Sequence, residues 1–351
     1  MAPQEEASRA GGYAGAVEGS AVVARPPRHF LEISGRSPGP MLQGILSGRI
    51  PDPPRRDEGG NRLGEVSYST LLTPKGRMIT DLRVFRDRED VFLLDLPEAG
   101  IEGAFAHFQR YLPPRLARVG QVPTDLSMLT VVGPKAVGLL AELLGTGGGG
   151  RRVLEGLSEG QELNTALPGG EDVRVVRNGD VRPPAFDLIL PRPAWEGARE
   201  VLLQSGAEEA MPECWDTLRM ERGRPIFGVD MDEETNPVEA GIHRRAIDYE
   251  KGCYTGQEVI IRLRDRGRVN KSLRGLLLGS VSPPPRGTDL FSRTLGKSVG
   301  WITSSCLSPH FGQAIALGYV RRGASEGPGL RLGSGEGPSV EVRELADDGW
   351  R

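Results

Sequence analysis

At 351 residues the chain is too long for one compact core and calls for two or three packed units. Its hydrophobic fraction of 38% and formal charge of −3 fit a soluble protein without the overall basic footprint of a nucleic-acid binder, although a local basic patch stays compatible with both. No stretch approaches the roughly 18 consecutive apolar residues of a membrane span, and the opening "MAPQEEASRAGG" does not read as a secretory signal, so no membrane contact and a cytoplasmic location are expected.

Cys214, Cys253 and Cys306 lie 39 and 53 positions apart, which matches neither a disulfide framework nor zinc-ligand spacing. The four histidines are scattered and form no HExxH or His-acid cluster, so no built-in metal is expected.

In chain order, residues 1–21 are rich in Gly, Ala, Ser and Glu without periodicity and read as a disordered tail. Structure begins near "HFLEISG". The stretch "PDPPRRDEGG" reads as a surface loop, and "LRVFRDREDVFLLDL" as a hairpin turning at "RDRED". Ile101, Ala104, Phe105, Phe108 and Leu112 recur at helical spacing until Pro113 and Pro114 stop the helix.

The middle of the chain uses one pattern twice. "LTVVG" leads into "PKAVGLLAELLG", and "FDLILP" into "RPAWEGAREVLLQSG", each a strand followed by a helix with Pro in its first turn and Gly at its end. With "VRVVR" between them, these suggest a ferredoxin-like unit over about residues 125–225, with the glycines at 147–150 as a loop inside it. From about residue 269 to 351 the texture changes to short strands punctuated by Gly and Pro, the look of a small β-barrel. The expected class is therefore α+β: a body over 22–268 followed by a C-terminal barrel over 269–351.

"KGCYTGQEVIIRLR" stands out because a buried structural cysteine normally has apolar neighbours. Lys251 and the backbone N–H groups around Gly252 and Gly256 would favour a thiolate at Cys253, making it a nucleophile or ligand, whereas an inert cysteine in a tight turn is the plainer alternative. Arg262, Arg264, Arg266 and Arg268 alternate, which in an extended segment would put them on one face, either toward an anionic ligand or toward water. In "ECWDTLRMERGRPIFG", Trp215, Leu218 and Arg219 share one side of a short helix ended by Gly223, and Trp215 is either core or a stacking surface. Asp187, in "AFDLILP", is either a surface charge at a strand end or a buried acceptor for paired N–H donors.

Taken together, "LLTPKGRMITDLRVF", "LTVVGPKAV", "LRMERGRPIFGVDMD", "NPVEAGIHRRAIDYEKGCYTGQE" and "SVGWITSSCLSPHFGQAIALGYVRR" resemble the YgfZ-type folate-binding proteins, relatives of the glycine-cleavage T-protein (aminomethyltransferase). The resemblance runs from about residue 29 to 322. It implies a body around a folate pocket, a C-terminal β-barrel, tetrahydrofolate or a derivative as cofactor, and a role in assembling or repairing iron-sulfur proteins, including tRNA-modifying enzymes. Such assembly or client proteins would be its partners, and direct tRNA binding stays open.

By position, Cys253 matches that family's functional cysteine, with Lys251 beside it, at the pocket rim. Trp215, Arg219 and Asp187 match ligand-site positions, and Glu239, Tyr254, Gln257 and Arg262 complete the expected ligand contacts. Asp187 is one methylene shorter than the Glu of the T-protein. The T-protein's catalytic Asp is expected at the start of the helix over 101–112, where this chain offers only Glu102, so aminomethyl transfer is the disfavoured alternative.

Overall fold

The computed structural model describes residues 11–121, 125–266, 269–324 and 329–351. An eight-stranded sheet runs in the order Glu208–Ala210, Ala21–Val23, Leu126–Val132, Ala185–Pro191, Asp172–Asn178, Gln161–Ala166, Arg62–Glu65 and Arg55–Arg56. Its first pair is parallel and the remaining pairs are antiparallel. A five-stranded antiparallel sheet follows the order Ser67–Leu72, Met78–Arg88, Val91–Pro97, Arg28–Ser34 and Arg118–Gln121.

Each sheet covers one face with helices and turns the other toward its neighbour. The helices Pro38–Ile45 and Ile101–Tyr111 bury Leu42, Ile45, Ala104 and Phe108 against Leu31, Ile33, Leu82, Val84 and Leu94. Helices Ala136–Leu143 and Arg192–Gln204 bury Leu140, Leu143, Ala198 and Leu202 against Leu129, Val131, Phe186 and Leu188. Between the sheets, Phe85 and Leu93 meet Val176 and Ile189. Because side chains alternate along a strand, Leu82 and Val84 enter the helix-covered core while Asp81, Arg83 and Phe85 point between the sheets, and Asp187 and Ile189 do the same from the facing sheet. Each fully buried Phe or Leu contributes about 1.5–3 kcal/mol, so the apolar part of the interlayer holds the sheets and leaves its polar end as a site.

The ferredoxin-like unit is present in the first sheet, widened by a strand from elsewhere: Ala21–Val23 enters between Glu208–Ala210 and Leu126–Val132. This corrects the expectation of a disordered tail through residue 21. Tyr13–Glu18 is a helix, Ala16, Ala21 and Val23 are buried beside Trp215, and only the part of the tail before residue 11 lies outside the described residues. The glycines at 147–150 are also not a loop but the first turn of the helix Gly147–Gly156, anchored by the buried Leu154.

The C-terminal region forms a six-stranded antiparallel sheet curled by register shifts at Leu277/Gly279, Leu290/Phe291 and Ile302/Ser304. It docks on the body through Leu273, Ile315, Leu317 and Tyr319, which pack on Met220. The hairpin at the chain end completes the joint: Trp350 donates its indole N–H to the Met220 carbonyl at 2.8 Å, and its ring lies where a Cβ on Gly275 would sit, 2.6 Å away. No helix among the described residues is long and apolar enough to cross a membrane.

Candidate functional site

At the polar end of the interlayer is a cavity of about 330 Å³. Its walls include Trp215, Phe227, Val66, Val176, Pro26 and Pro27 on the apolar side, and Tyr68, Asp81, Arg83, Asn178, Asp180 and Arg219 on the polar side.

The floor is a buried ion network. Asp187, with no solvent exposure, accepts from Arg25 at 2.8 Å, Arg83 at 2.5 Å, Thr130 at 2.8 Å and Asn178 at 2.9 Å. Arg83 also reaches Asp95 at 2.6 Å through Nε, and Arg28 donates to the same carboxylate at 2.6 Å and to its carbonyl at 3.0 Å. Burial pushes the Asp187 carboxyl up, but Arg25 and Arg83 outweigh it and hold it well below the usual carboxylate range. Asp180, paired with Arg245 at 3.0 Å, is brought down to about 2 when Arg245 and Arg25 overcome the effect of burial.

Asp81 has the opposite surroundings. One carboxylate oxygen accepts from Tyr68 at 2.7 Å, and the other is buried with no hydrogen-bond partner. Burial raises its pKa, with Arg28 opposing. A carboxyl so placed, lining a cavity, is suited to holding or moving a proton at that free oxygen.

The residues expected from sequence divide sharply. Trp215 and Arg219 line the cavity on the helix Pro212–Glu221, as their shared helical face required. Trp215 is only 2% exposed, and the Arg25 guanidinium lies 3.9 Å from its ring centroid, so one face is already covered. Arg219 is held by Asp216 at 2.7 Å and Asp230 at 2.8 Å; Asp230 in turn accepts from Thr303 and Ser304 of the C-terminal sheet.

Asp187 is the buried acceptor rather than a surface charge, but its acceptor sites are filled by the protein and it lies beneath the cavity lining, which corrects its expected role as a direct ligand contact. Glu102 is an exposed helix residue outside the cavity.

The cysteine loop supplies none of the cavity lining, where Cys253 was expected at the rim, although its Tyr254 packs in one cluster with Tyr68 and Phe227 of the cavity wall. Lys251, Cys253, Tyr254, Gln257 and Arg262 do not line the cavity, and neither does Glu239. Lys251 donates to the carbonyls of Leu46 at 2.6 Å and Gly48 at 2.9 Å, so its ammonium staples the loop, and burial brings it down to about 8. Tyr254 is buried with Phe227, Met231 and Ile260. Gln257 begins the helix Gln257–Arg266, on which Arg262 is exposed. This helix replaces the expected extended segment of alternating arginines, and Arg268 lies outside the described residues. Glu239 is half-buried at the joint with the C-terminal sheet, where its carbonyl accepts from Leu273 at 2.8 Å. Cys253 itself is exposed, while Cys214 is buried and Cys306 half-buried.

With this geometry in place, comparison with known proteins is informative. The GCVT N-terminal domain model matches residues 32–251, and the glycine cleavage T-protein C-terminal barrel domain model matches residues 271–343. The chain belongs to the glycine cleavage T-protein family. It is similar to an aminomethyltransferase of Corynebacterium jeikeium, 29% identical over 297 residues that cover 80% of this chain and 74% of the relative. Another, from Rubrobacter xylanophilus, is 30% identical over 294 residues, covering 83% and 74%. The crystal structure of the glycine cleavage system aminomethyltransferase T from Bartonella henselae matches the fold with a TM-score of 0.79 at 20% identity, over 96% of this chain and 89% of that one.

Within this T-protein fold, sequence reasoning missed Asp81, Arg25, Arg28, Arg83 and Asp180. A signal was present for two of them. "MITDLRVF" puts Asp81 and Arg83 on the same face as Phe85 in a strand buried on both sides, a costly position for charge unless it is used or paired.

Proposed function

We propose that the cavity binds a reduced folate and that the protein carries out one-carbon transfer of the aminomethyltransferase type, with Asp81 as the proton-transferring group. The supporting observation is the unpartnered Asp81 oxygen in the cavity wall. It answers the objection that the chain lacks an acid, because the carboxyl sits on the strand Met78–Arg88 and not on the helix that holds Glu102.

The residues fit such a group. A flat heterocycle suits a cavity with Trp215 and Phe227 among its walls, and Asn178, Tyr68 and the arginines provide polar edges. When bound, a reduced folate supplies the amine that carries the one-carbon unit. Asp81 holds or accepts a proton at its free oxygen, Tyr68 orients that carboxyl, and the Asp187 network fixes Arg25 over Trp215.

Tetrahydrofolate should bind and quench tryptophan fluorescence, and Trp215→Leu should weaken binding by about 1–3 kcal/mol through loss of the ring under Arg25. With an aminomethyl-lipoyl carrier protein as donor, Asp81→Asn should lower turnover by roughly 10²-fold or more while folate affinity changes little. Wild-type turnover no faster than the folate-only background would reject the transfer reading.

A second reading rests on Cys253, an exposed thiol on a loop that is not part of the cavity lining. Here the protein is a folate-binding accessory factor for iron-sulfur assembly or repair, serving enzymes that include tRNA-modifying ones, with Cys253 as the functional thiol. In a gene-deletion strain scored by iron-sulfur enzyme activity, this reading expects Asp81→Asn to rescue and Cys253→Ala to fail. The transfer reading expects the deletion itself to leave iron-sulfur enzyme activity unchanged.

A further inference from the structure

Among the described residues none after Arg245 lines the cavity, yet the C-terminal sheet reaches its wall through one carboxylate. Asp230, whose side chain has no solvent exposure, divides its two oxygens between the two regions. Oδ2 accepts from Arg219 Nη1 at 2.8 Å and from the Ile226 amide at 3.1 Å, both in the body. Oδ1 accepts from Thr303 at 2.5 Å and from Ser304 at 2.6 Å, both in the strand Lys297–Ser308 of the C-terminal sheet.

Consecutive residues of a regular strand point to opposite faces, which would keep Thr303 and Ser304 from sharing one oxygen. They share it because the strand is bulged there. Pairing passes from Ile302 with Gly318 to Ser304 with Leu317, which leaves Thr303 as the extra residue. Ile302 meanwhile stays in the core of the C-terminal sheet. The Thr303 oxygen also lies 3.1 Å from the Leu317 carbonyl, but its single proton goes to the nearer, charged acceptor.

The group that this arrangement holds is Arg219, in the cavity wall. Its Nε donates to Asp216 at 2.7 Å, and its Nη1 to Asp230 and, at 3.1 Å, to the Arg224 carbonyl. Among the described residues Nη2 has no hydrogen-bond partner, which leaves it for what the cavity holds. Asp216 is 51% exposed and Asp230 fully enclosed, so Asp230 is the firmer anchor. A planar guanidinium fastened at two nitrogens is fixed in direction, and a small displacement of a group facing a ligand is expensive.

We infer that Thr303 and Ser304 are positioning residues, which act through Asp230 to aim Arg219 into the cavity. Without the two hydroxyls, Oδ1 becomes a buried acceptor with nothing to accept, and the carboxylate turns from Arg219 toward a new partner. Only the choice of tetrahydrofolate as probe rests on the folate reading.

The test compares the full-length protein with Thr303→Val/Ser304→Ala. By calorimetry, tetrahydrofolate affinity should fall about tenfold in the double variant, as for loss of a charge-assisted contact. It should fall no further when the same pair is changed in an Arg219→Gln background, because groups acting in one chain are not additive. Thr303→Ser, which keeps the hydroxyl, should bind like wild type, and Thr303→Val, which keeps the shape, should not. A readout without ligand comes from NMR of protein isotope-labelled in its arginines. The Arg219 guanidinium signals, assigned by their loss in Arg219→Gln, should exchange with water faster in the double variant than in wild type. Should the double variant fail to fold, Ser304→Ala, at a half-buried position, serves for both measurements.

An equal fall in affinity in the Arg219→Gln background, an unchanged affinity in the double variant, or Thr303→Ser binding as weakly as Thr303→Val would each show that the two hydroxyls serve the fold at large and do not aim Arg219. If tetrahydrofolate fails to bind wild type, the folate reading falls and the exchange of Arg219 decides alone: faster exchange in the variant upholds the positioning role, and unchanged exchange overturns it.

Discussion

The cavity and the loop around Cys253 invest polar groups in opposite ways. In the cavity floor, carboxylates and guanidinium groups are buried and bonded to one another across both sheets. In the loop, backbone and Lys251 contacts fasten both ends, while Gly252 and Cys253 between them are exposed. The loop amide of Asp248 donates to the Ser47 carbonyl at 3.0 Å and that of Thr255 to Gly44 at 3.2 Å. At Gly256, with φ of +83°, a Cβ would sit 2.7 Å from the Thr73 carbonyl oxygen, so this glycine is required by close approach. A Cβ at Gly252 would meet nothing within 4 Å. The difference teaches that a conspicuous motif and a buried chemical network need not coincide, and that stability should register the second far more than the first.

The largest expected effect is at the floor. Asp187→Ala strands two buried guanidinium groups, Arg25 and Arg83, and should cost about 3–5 kcal/mol, read by urea unfolding. A cost under about 1 kcal/mol would mean that the network is held from elsewhere and that the contrast with the loop is false.

The aspartates in and beneath the cavity make a smaller, sign-resolved prediction. Asp187 and Asp180 have folded-state pKa values below those of the unfolded chain. Their stabilisation is therefore present above roughly pH 4 and is lost as pH falls toward about 2, the folded value of Asp180. Asp81 is raised instead. Its contribution is present at low pH and lost as pH rises through its folded value. Asp81→Asn should therefore stabilise the protein near neutrality, and the gain should shrink on acidification toward pH 4. Melting temperatures of both proteins from pH 4 to 8 decide this; a constant gap would place Asp81 in an ordinary, unraised environment.

How much of this was readable in the sequence follows from the range of the interactions. The hairpin Met78–Pro97 and the helices Ile101–Tyr111 and Pro212–Glu221 declare themselves by local alternation, helical spacing, and Pro or Gly at their ends. The strand Ala21–Val23 does not, because three residues in a Gly- and Ala-rich stretch become a strand only by pairing with partners far along the chain. The segment after Gly256 misled for a different reason. Its alternating arginines also fit a helix whose buried side is fixed by Ile260.

The site was least legible. Arg25 and Asp187 are 162 positions apart, and Arg83 and Asp187 are 104 apart, so no local pattern joins them. Trp215 and Arg219 were found because one short helix carries both.

The smallest expected change in stability belongs to Cys253. The side chain is exposed and the loop's fastening runs through Asp248, Lys251, Thr255 and Gly256. Cys253→Ala therefore removes little buried surface and should cost less than about 0.5 kcal/mol, within the range of ordinary surface substitutions. Cys214 provides the internal control, since burial pushes its thiol up to about 12 and it packs beside Trp215. Cys253 should be alkylated by iodoacetamide well before Cys214 or Cys306, because reaction requires both access and thiolate. Mass spectrometry of timed samples at pH 8 measures the order. If Cys253 is modified last, or if Cys253→Ala destabilises the fold as strongly as Asp187→Ala does, the loop is a packed structural element, and its separation from the buried network of the cavity fails.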